Sequence, residues 1–305
     1  MKRRERSGRV ARSFALTLGT LLVFAVAAVV LFQGRGGIAR NHIPDSFPPD
    51  SGIIGDFAVA DLLQVSYTNY TAVRHINSTA LPSGVYLSFH DPHLDIMAAS
   101  LRERVTVVTS APNATVDVTM LDPGSFASAK GAFEESNLTR AAHDGSVLYS
   151  AFEYSFGTPR HVWVVPIAGT TAFASSEGAE DAKSALEIML DVKFGALPSA
   201  LTRSDVQRML YVVNGSGSHL ALAIQEYPGA VTSGLATLIV VDKTGPSLEI
   251  LQAVTFANAT LADSQLHYFQ TVYLGYEKFS SYDEILLAGQ TQPVSSLTKA
   301  IAVTG

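Results

Sequence analysis

The stretch FALTLGTLLVFAVAAVVLF, Phe14 to Phe32, runs for nineteen residues without a charge. As a helix rising 1.5 Å per residue it reaches roughly 28 Å, about the hydrocarbon thickness of a bilayer. Its only polar side chains are Thr17 and Thr20, whose hydroxyls can bond back to the helix's own carbonyls. Everything after Phe32 is therefore expected to fold on one side of a membrane. Lys2, Arg3, Arg4, Arg6, Arg9 and Arg12 precede the run, against Arg35 and Arg40 beyond it. This bias puts residues 1–13 in the cytoplasm as a basic tail too short to fold, and the body outside. A cleaved signal peptide, with Ala25-Val26-Ala27 as its cleavage site, and a pilin-like leader are the competing readings. The run continues through Val29, Val30, Leu31 and Phe32, longer than a usual signal-peptide core. That favours an uncleaved, single-pass anchor in the cell membrane.

Residues 33–56 are rich in Gly and Pro with little periodicity, as expected of a juxtamembrane linker. The GRGGIA within it echoes a dinucleotide-binding fingerprint but follows a membrane helix rather than a strand, so it carries no such meaning. Charge is unevenly shared. Residues 1–40 hold eight of the 21 Lys/Arg and one of the 27 Asp/Glu, leaving 13 bases and 26 acids beyond, a formal −13. Such a body has no electrostatic reason to bind nucleic acid or anionic lipid. The absence of cysteine removes thiol catalysis, Cys-ligated zinc and iron–sulfur clusters. About 250 residues can bury a core without disulfides.

From Phe57 the pattern becomes short alternating segments broken by turn residues. Gly84 to Phe89, Val105 to Thr109, Val116 to Leu121, Val147 to Phe156 and Val162 to Ile167 read as strands. Leu186 to Phe194 also reads as a strand, with Leu186, Ile188, Leu190, Val192 and Phe194 on one face, although Ala182, Leu186 and Met189 suit a helix. Ser125 to Glu134 is the expected short helix. Gly195-Ala196-Leu197-Pro198-Ser199 looks like a boundary. Beyond it Met209 to Val213, Leu220 to Gln225, Leu238 to Asp242, Leu248 to Phe256 and Gln265 to Tyr276 read as strands, with Asn214 to Ser218 as a hairpin turn. The expectation is a mainly β fold: one transmembrane helix, then an ectodomain of two β-sandwiches at 57–196 and 197–305. No sequence period marks a repeat, although the two halves could be distant relatives.

Within residues 100–195, RVTVVTSAPNATVDVTMLDPGSFASAKG, RHVWVVPIAGTTAFASS and LEIMLDVKFG follow one another. This order resembles secreted β-sandwich domains of the GOLD and pre-peptidase C-terminal type. In those, a strand ending in Leu-Asp is followed by a loop, an aromatic-Val-Val strand and a final alternating strand. Leu121-Asp122 and Trp163-Val164-Val165 stand in those places. The resemblance implies an accessory binding or structural module, with no catalytic residues to carry over.

Six of the seven asparagines, Asn69, Asn77, Asn113, Asn137, Asn214 and Asn258, begin N-x-S/T acceptors; Asn41 does not. N-linked glycans are the functional reading, and turn or cap chemistry is the plain alternative. Many sequons without cysteine fit an archaeal-type cell-surface glycoprotein.

The best candidate chemistry is His90-Asp91-Pro92-His93-Leu94-Asp95. Imidazole and carboxylate together suit a divalent metal, with His90, His93 and Asp95 as ligands. The segment lacks the H-E-x-x-H helix of a metalloprotease, and no second cluster supplies distant ligands, so a polar loop is the alternative. Glu177 to Asp181 reads as a solvated acidic hairpin, and Gly217-Ser218-His219 as a poor nucleophile–base pair. His267 to Tyr276 is an aromatic-rich stretch suited to a sheet face. The expected function is structural, adhesive or binding at the cell envelope, with possible surface-protein or homo-oligomeric partners. Two rivals stand beside it: a membrane-tethered metal-dependent hydrolase using His90, His93 and Asp95, and a subunit of an extracellular filament with pairing β edges.

Overall fold

The computed structural model describes residues 40–41, 62–77, 84–155, 158–167, 169–176, 179–213, 218–226, 232–241 and 247–297. The anchor Phe14–Phe32, the tail 1–13, nearly all of the linker 33–56, and Asn214 lie outside them. No helix among the described residues is long and apolar enough to cross a membrane. All of them belong to one compact unit, Arg40–Gly305.

The fold is mainly β. The strands are β1 (Arg40–Asn41), β2 (Leu62–Asn69), β3 (Val85–Phe89), β4 (Leu94–Met97), β5 (Leu101–Thr109), β6 (Ala114–Leu121), β7 (Arg140–His143), β8 (Ser146–Ser155), β9 (Thr158–Ile167), β10 (Thr170–Ser175), β11 (Ser218–Glu226), β12 (Thr232–Val241), β13 (Ser247–Phe256), β14 (Lys278–Tyr282) and β15 (Ile285–Pro293). They pair in one order, β1-β14-β15-β13-β12-β11-β2-β5-β6-β10-β9-β8-β3-β4, with β7 attached to β8. Five α-helices are described: α1 (Tyr70–Ile76), α2 (Pro123–Glu135), α3 (Ala179–Lys193), α4 (Ser204–Val213) and α5 (Ala259–Val272).

The halves 57–196 and 197–305, expected as separate sandwiches, share this sheet through the antiparallel pair β2–β11, with Val65 opposite Ile224 and Tyr67 opposite Leu222. Read outward from that pair, one side runs β2-β5-β6-β10-β9 and the other β11-β12-β13-β15-β14. In each half a three-strand run (β2, β5 and β6, or β11, β12 and β13) leads into a helix (α2 or α5). The strand that ends each half's β run, β10 or β15, then returns beside the third member. The strand order is thus similar on the two sides of the β2–β11 pair.

Among the described residues, helices lie against both faces of these strands. On one face α3 and α4 pack over Val65, Val105, Val107, Val116, Val118, Trp163, Val165, Leu222, Ile224, Leu251 and Ile285, so a single core joins both halves. The opposite face holds three smaller cores, under α2 (Phe89, Tyr149, Val162, Val164, Phe173), α1 (Leu220, Leu248, Ile250) and α5 (Val254, Leu286, Ala288). Val162 and Val164 thus face α2 while Trp163 and Val165 face α3, the strand period of two.

Three segments expected as strands are helical. Leu186–Phe194 belongs to α3, where Ala182, Ala185, Leu186, Met189 and Leu190 form the buried stripe. Ile188 and Val192 extend the apolar surface around the helix, which is why the segment also alternates. Glu180 and Asp181 in its first turn, from the stretch taken as an acidic hairpin, complement the positive helix end. Gly195, with φ 79°, stops it: Gly195 N donates to Val192 O at 3.1 Å and Ala196 N to Asp191 O at 2.8 Å. The apparent domain boundary is therefore a helix C-cap. Met209–Val213 is the end of α4, with Val206, Met209, Val212 and Val213 buried. Gln265–Val272 lies in α5, which Asn258 caps. The segment that the resemblance placed as a final strand, Leu186 to Phe194, is the helical one; Leu121-Asp122 is the end of β6 and the N-cap of α2.

Candidate functional site

The β3–β4 hairpin lies at the sheet margin, where Phe89 pairs with Glu153 of β8. Its connection contains a cis Asp91-Pro92 bond. Ser88, Phe89, His90, His93, Leu94, Asp95 and Tyr154 line an open hollow of about 510 Å³. The His90 and His93 rings meet edge-on with centroids 5.1 Å apart, and His90 lies 5.6 Å from the Tyr154 ring. Ser88 Oγ donates to Asp95 Oδ1 at 2.6 Å. Nearby, Phe152 stacks on His161 at 5.1 Å, and the Ser150 hydroxyl bonds the same imidazole. Phe152 is 50% and Tyr154 40% exposed, so this part of the sheet offers ring surface to solvent.

The expected ligands His90, His93 and Asp95 are thus brought to one hollow, but as a ring–ring contact and a hydroxyl–carboxylate bond. Among the described residues, the group whose ligand atoms all lie within 4.8 Å of one another is instead His143, Asp144 and Asp191. The sequence carried one local sign of it, the turn pair Asp144-Gly145 beside a histidine. Asp191, 48 residues after His143, could not be associated with it from spacing.

A second polar cluster sits on the face that α2 covers. Arg104 Nε donates to Asp117 Oδ1 at 2.8 Å, Thr106 bonds the same oxygen, and the guanidinium lies 5.2 Å from the Tyr86 ring centre. Burial works to lower the Arg104 guanidinium, but Asp117 and then Tyr86 raise it on balance. Burial, followed by Asp117, pushes the Tyr86 phenol upward. These groups satisfy one another and read as an internal brace. Glu153 stands at its edge: burial raises its carboxyl above the ordinary range, opposed by Arg160 and Arg104 and aided by Asp117.

A raised carboxyl means the folded chain holds that proton more tightly than the unfolded one. Its contribution is full below the unfolded range near pH ~4 and is lost as pH rises through the folded value. Glu153→Gln, fixed neutral, is therefore expected to gain stability relative to the natural chain between acid and neutral pH. Urea unfolding at both pH values measures this, and an equal difference at the two would refute it.

The sequons divide by structural role. Asn69 Oδ1 accepts from Ala72 N and Asn258 Oδ1 from Leu261 N, both at 2.8 Å, so these two cap α1 and α5. Asn77 follows the last residue of α1, Asn113 lies in the β5–β6 turn, and Asn137 lies between α2 and β7. Asn113, Asn137 and Asn258 are exposed. Capping uses Oδ1 and a glycan uses Nδ2, so one asparagine can do both. Asn258→Asp keeps the cap oxygen, and thermal unfolding should leave it close to the natural chain. Asn258→Ala should lose about 1 kcal/mol. Equal stability of the two variants would remove the capping role.

The remaining sequence candidates are dispersed. Phe269 of the aromatic-rich stretch is buried against Tyr273 (4.6 Å) and Phe279 (6.2 Å), whereas Tyr268 is 66% exposed. Ser218 and His219 enter β11 opposite Val241 and Val240.

No family model matches the sequence, and no curated protein matches it. Among solved structures the chain is similar to crystal form III of TP0453, at 9% identity over 85% of this chain and 100% of that one, with a TM-score of 0.47. Crystal form I of TP0453 gives 9% identity, 85% and 98% coverage and a TM-score of 0.43. Likeness at this level carries no functional argument.

Proposed function

We propose that this chain is a membrane-anchored extracellular glycoprotein with a binding or adhesive role at the cell envelope. Phe14–Phe32 holds it in the membrane, residues 1–13 stay in the cytoplasm, and the acidic body faces outward. The observation that carries the binding role is the hollow bordered by β3, β4 and β8. Its His90, His93 and Tyr154 rings are exposed, with Asp95 and Ser88 beside them. Ring faces supply contact area at small conformational cost, and the neighbouring polar groups supply orientation. Cross-strand pairing of Ser88 with Asp95 and of Phe89 with Leu94 positions the strand residues of the lining, and His90 and His93 are carried by the turn that joins those strands. The exposed acceptors Asn113, Asn137 and Asn258 support the same reading.

Protease added to intact cells tests the orientation. The body is expected to be cut, whereas a body protected until lysis would overturn the proposal. Cells carrying His93→Ala together with Tyr154→Ala test the role. They should display the chain at the natural level and lose cell-to-cell or cell-to-envelope adhesion; unchanged adhesion would overturn it.

A further inference from the structure

The β7–β8 hairpin turns on Asp144 and Gly145, whose φ values are 44° and 75°. This two-residue turn sets His143 opposite Ser146 and brings the tip against α3. There His143 Nε2 lies 2.7 Å from Asp191 Oδ1, and its Nδ1 lies 4.0 Å from Glu187 Oε1. Glu187 and Asp191 are four residues apart and so share one face of α3. Asp144 adds a third ligand atom to those of His143 and Asp191, all within 4.8 Å of one another.

We propose that His143, Asp144 and Asp191 bind a divalent ion of the zinc or manganese type, with Glu187 orienting the imidazole. The donor set decides the class. One imidazole nitrogen with carboxylate oxygens suits these ions, whereas calcium and magnesium favour oxygen alone. The side chains of His143, Glu187 and Asp191 are only 25–26% exposed, so these groups gather with reduced hydration, and the exposed Asp144 closes the site from the solvent side. Lys183 stands 3.5 Å from Glu187 and offsets that charge; a doubly charged ion would offset the others.

Binding needs side-chain adjustment only, within a turn and one helix face. The ion takes the place of the hydrogen between His143 Nε2 and Asp191 Oδ1; the neutral ring keeps its one hydrogen on Nδ1, and any second proton on the ring leaves to solvent. With metal–ligand bonds of about 2.0–2.2 Å in tetrahedral geometry, ligand atoms sit roughly 3.3–3.6 Å apart, so His143 and Asp191 open by somewhat under an ångström while the widest separations in the group, up to 4.8 Å, close by about as much or more. Glu187 then lies on the Nδ1 side, where a carboxylate accepting that N–H fixes the tautomer and orientation of a metal-bound imidazole. The ion ties the hairpin tip to the helix, a cross-link in a chain without cysteine.

The test uses the detergent-purified full chain, stripped with chelator and titrated calorimetrically with zinc chloride and, separately, manganese chloride. One ion per chain is expected, with a rise in unfolding temperature. His143→Ala, Asp144→Asn and Asp191→Asn should each weaken binding by about 10–100-fold or more. His93→Ala should leave it unchanged. Asp144→Asn keeps the turn, since asparagine accepts positive φ, and so decides the matter even where His143→Ala fails to fold. No bound ion, binding unaltered in both Asp144→Asn and Asp191→Asn, or binding lost in His93→Ala would each overturn the proposal.

Discussion

Phe133→Ala is expected to destabilise the body by about 3–5 kcal/mol, the cost of emptying an aromatic site in a packed core. Phe133 is fully buried near the C-terminal end of α2. Its ring meets Phe89 edge-on at 5.3 Å and Tyr149 at 5.8 Å, so one side chain joins the helix to β3 and β8. Those two strands also form the floor of the hollow. Truncation should therefore loosen His90, His93 and Tyr154 as well as lower stability, seen as faster amide exchange in 85–95 than in 247–256. A loss under about 1 kcal/mol by urea unfolding would mean that α2 does not pack as described.

Leu186→Ala should cost about 2–5 kcal/mol and, more tellingly, should move one unfolding transition rather than one of two. Leu186 is fully buried in α3 and belongs to the core that holds strands of both halves, from Val105 and Val116 to Ile224 and Ile285. Trp163, the sole tryptophan, sits in that core and reports by fluorescence; far-UV dichroism reports the whole fold. Both midpoints should shift together. If fluorescence shifts while half of the dichroism change stays in place, residues 57–196 and 197–305 unfold independently and the shared core is refuted.

Much of the strand content was legible because Val105 to Thr109 and Val116 to Leu121 alternate and end at turn residues, while Val162 to Ile167 and Leu248 to Phe256 are short apolar runs of strand length. The helix at Ser125 to Glu134 was legible too, framed by Asp122, whose carboxyl accepts from Ser125 N at 3.0 Å, and by Pro123 at its first turn. The misread segments, Leu186 to Phe194, Met209 to Val213 and Gln265 to Tyr276, are apolar on more than one face and fit periods of two and of 3.6 alike. What separates the periods lies at their ends: Glu180 and Asp181, Gly195, and the cap Asn258. The site behaved the same way. His90, His93 and Asp95 were found because they are neighbours in the chain, whereas His143 and Asp191 meet only where a hairpin lands on a helix.

The amino-acid sequence alone determined which residues are apolar, how charge is shared between the first forty residues and the rest, the lack of thiols, and the cap and turn chemistry at Asp122, Asn258 and Asp144-Gly145. Each of these is settled within a few residues of chain. Only the tertiary structure decided that β2 pairs with β11, that one core spans both halves, and that α3 and α5 are helices. Those outcomes depend on which distant surface covers an apolar face, and burial carries no information about distance along the chain.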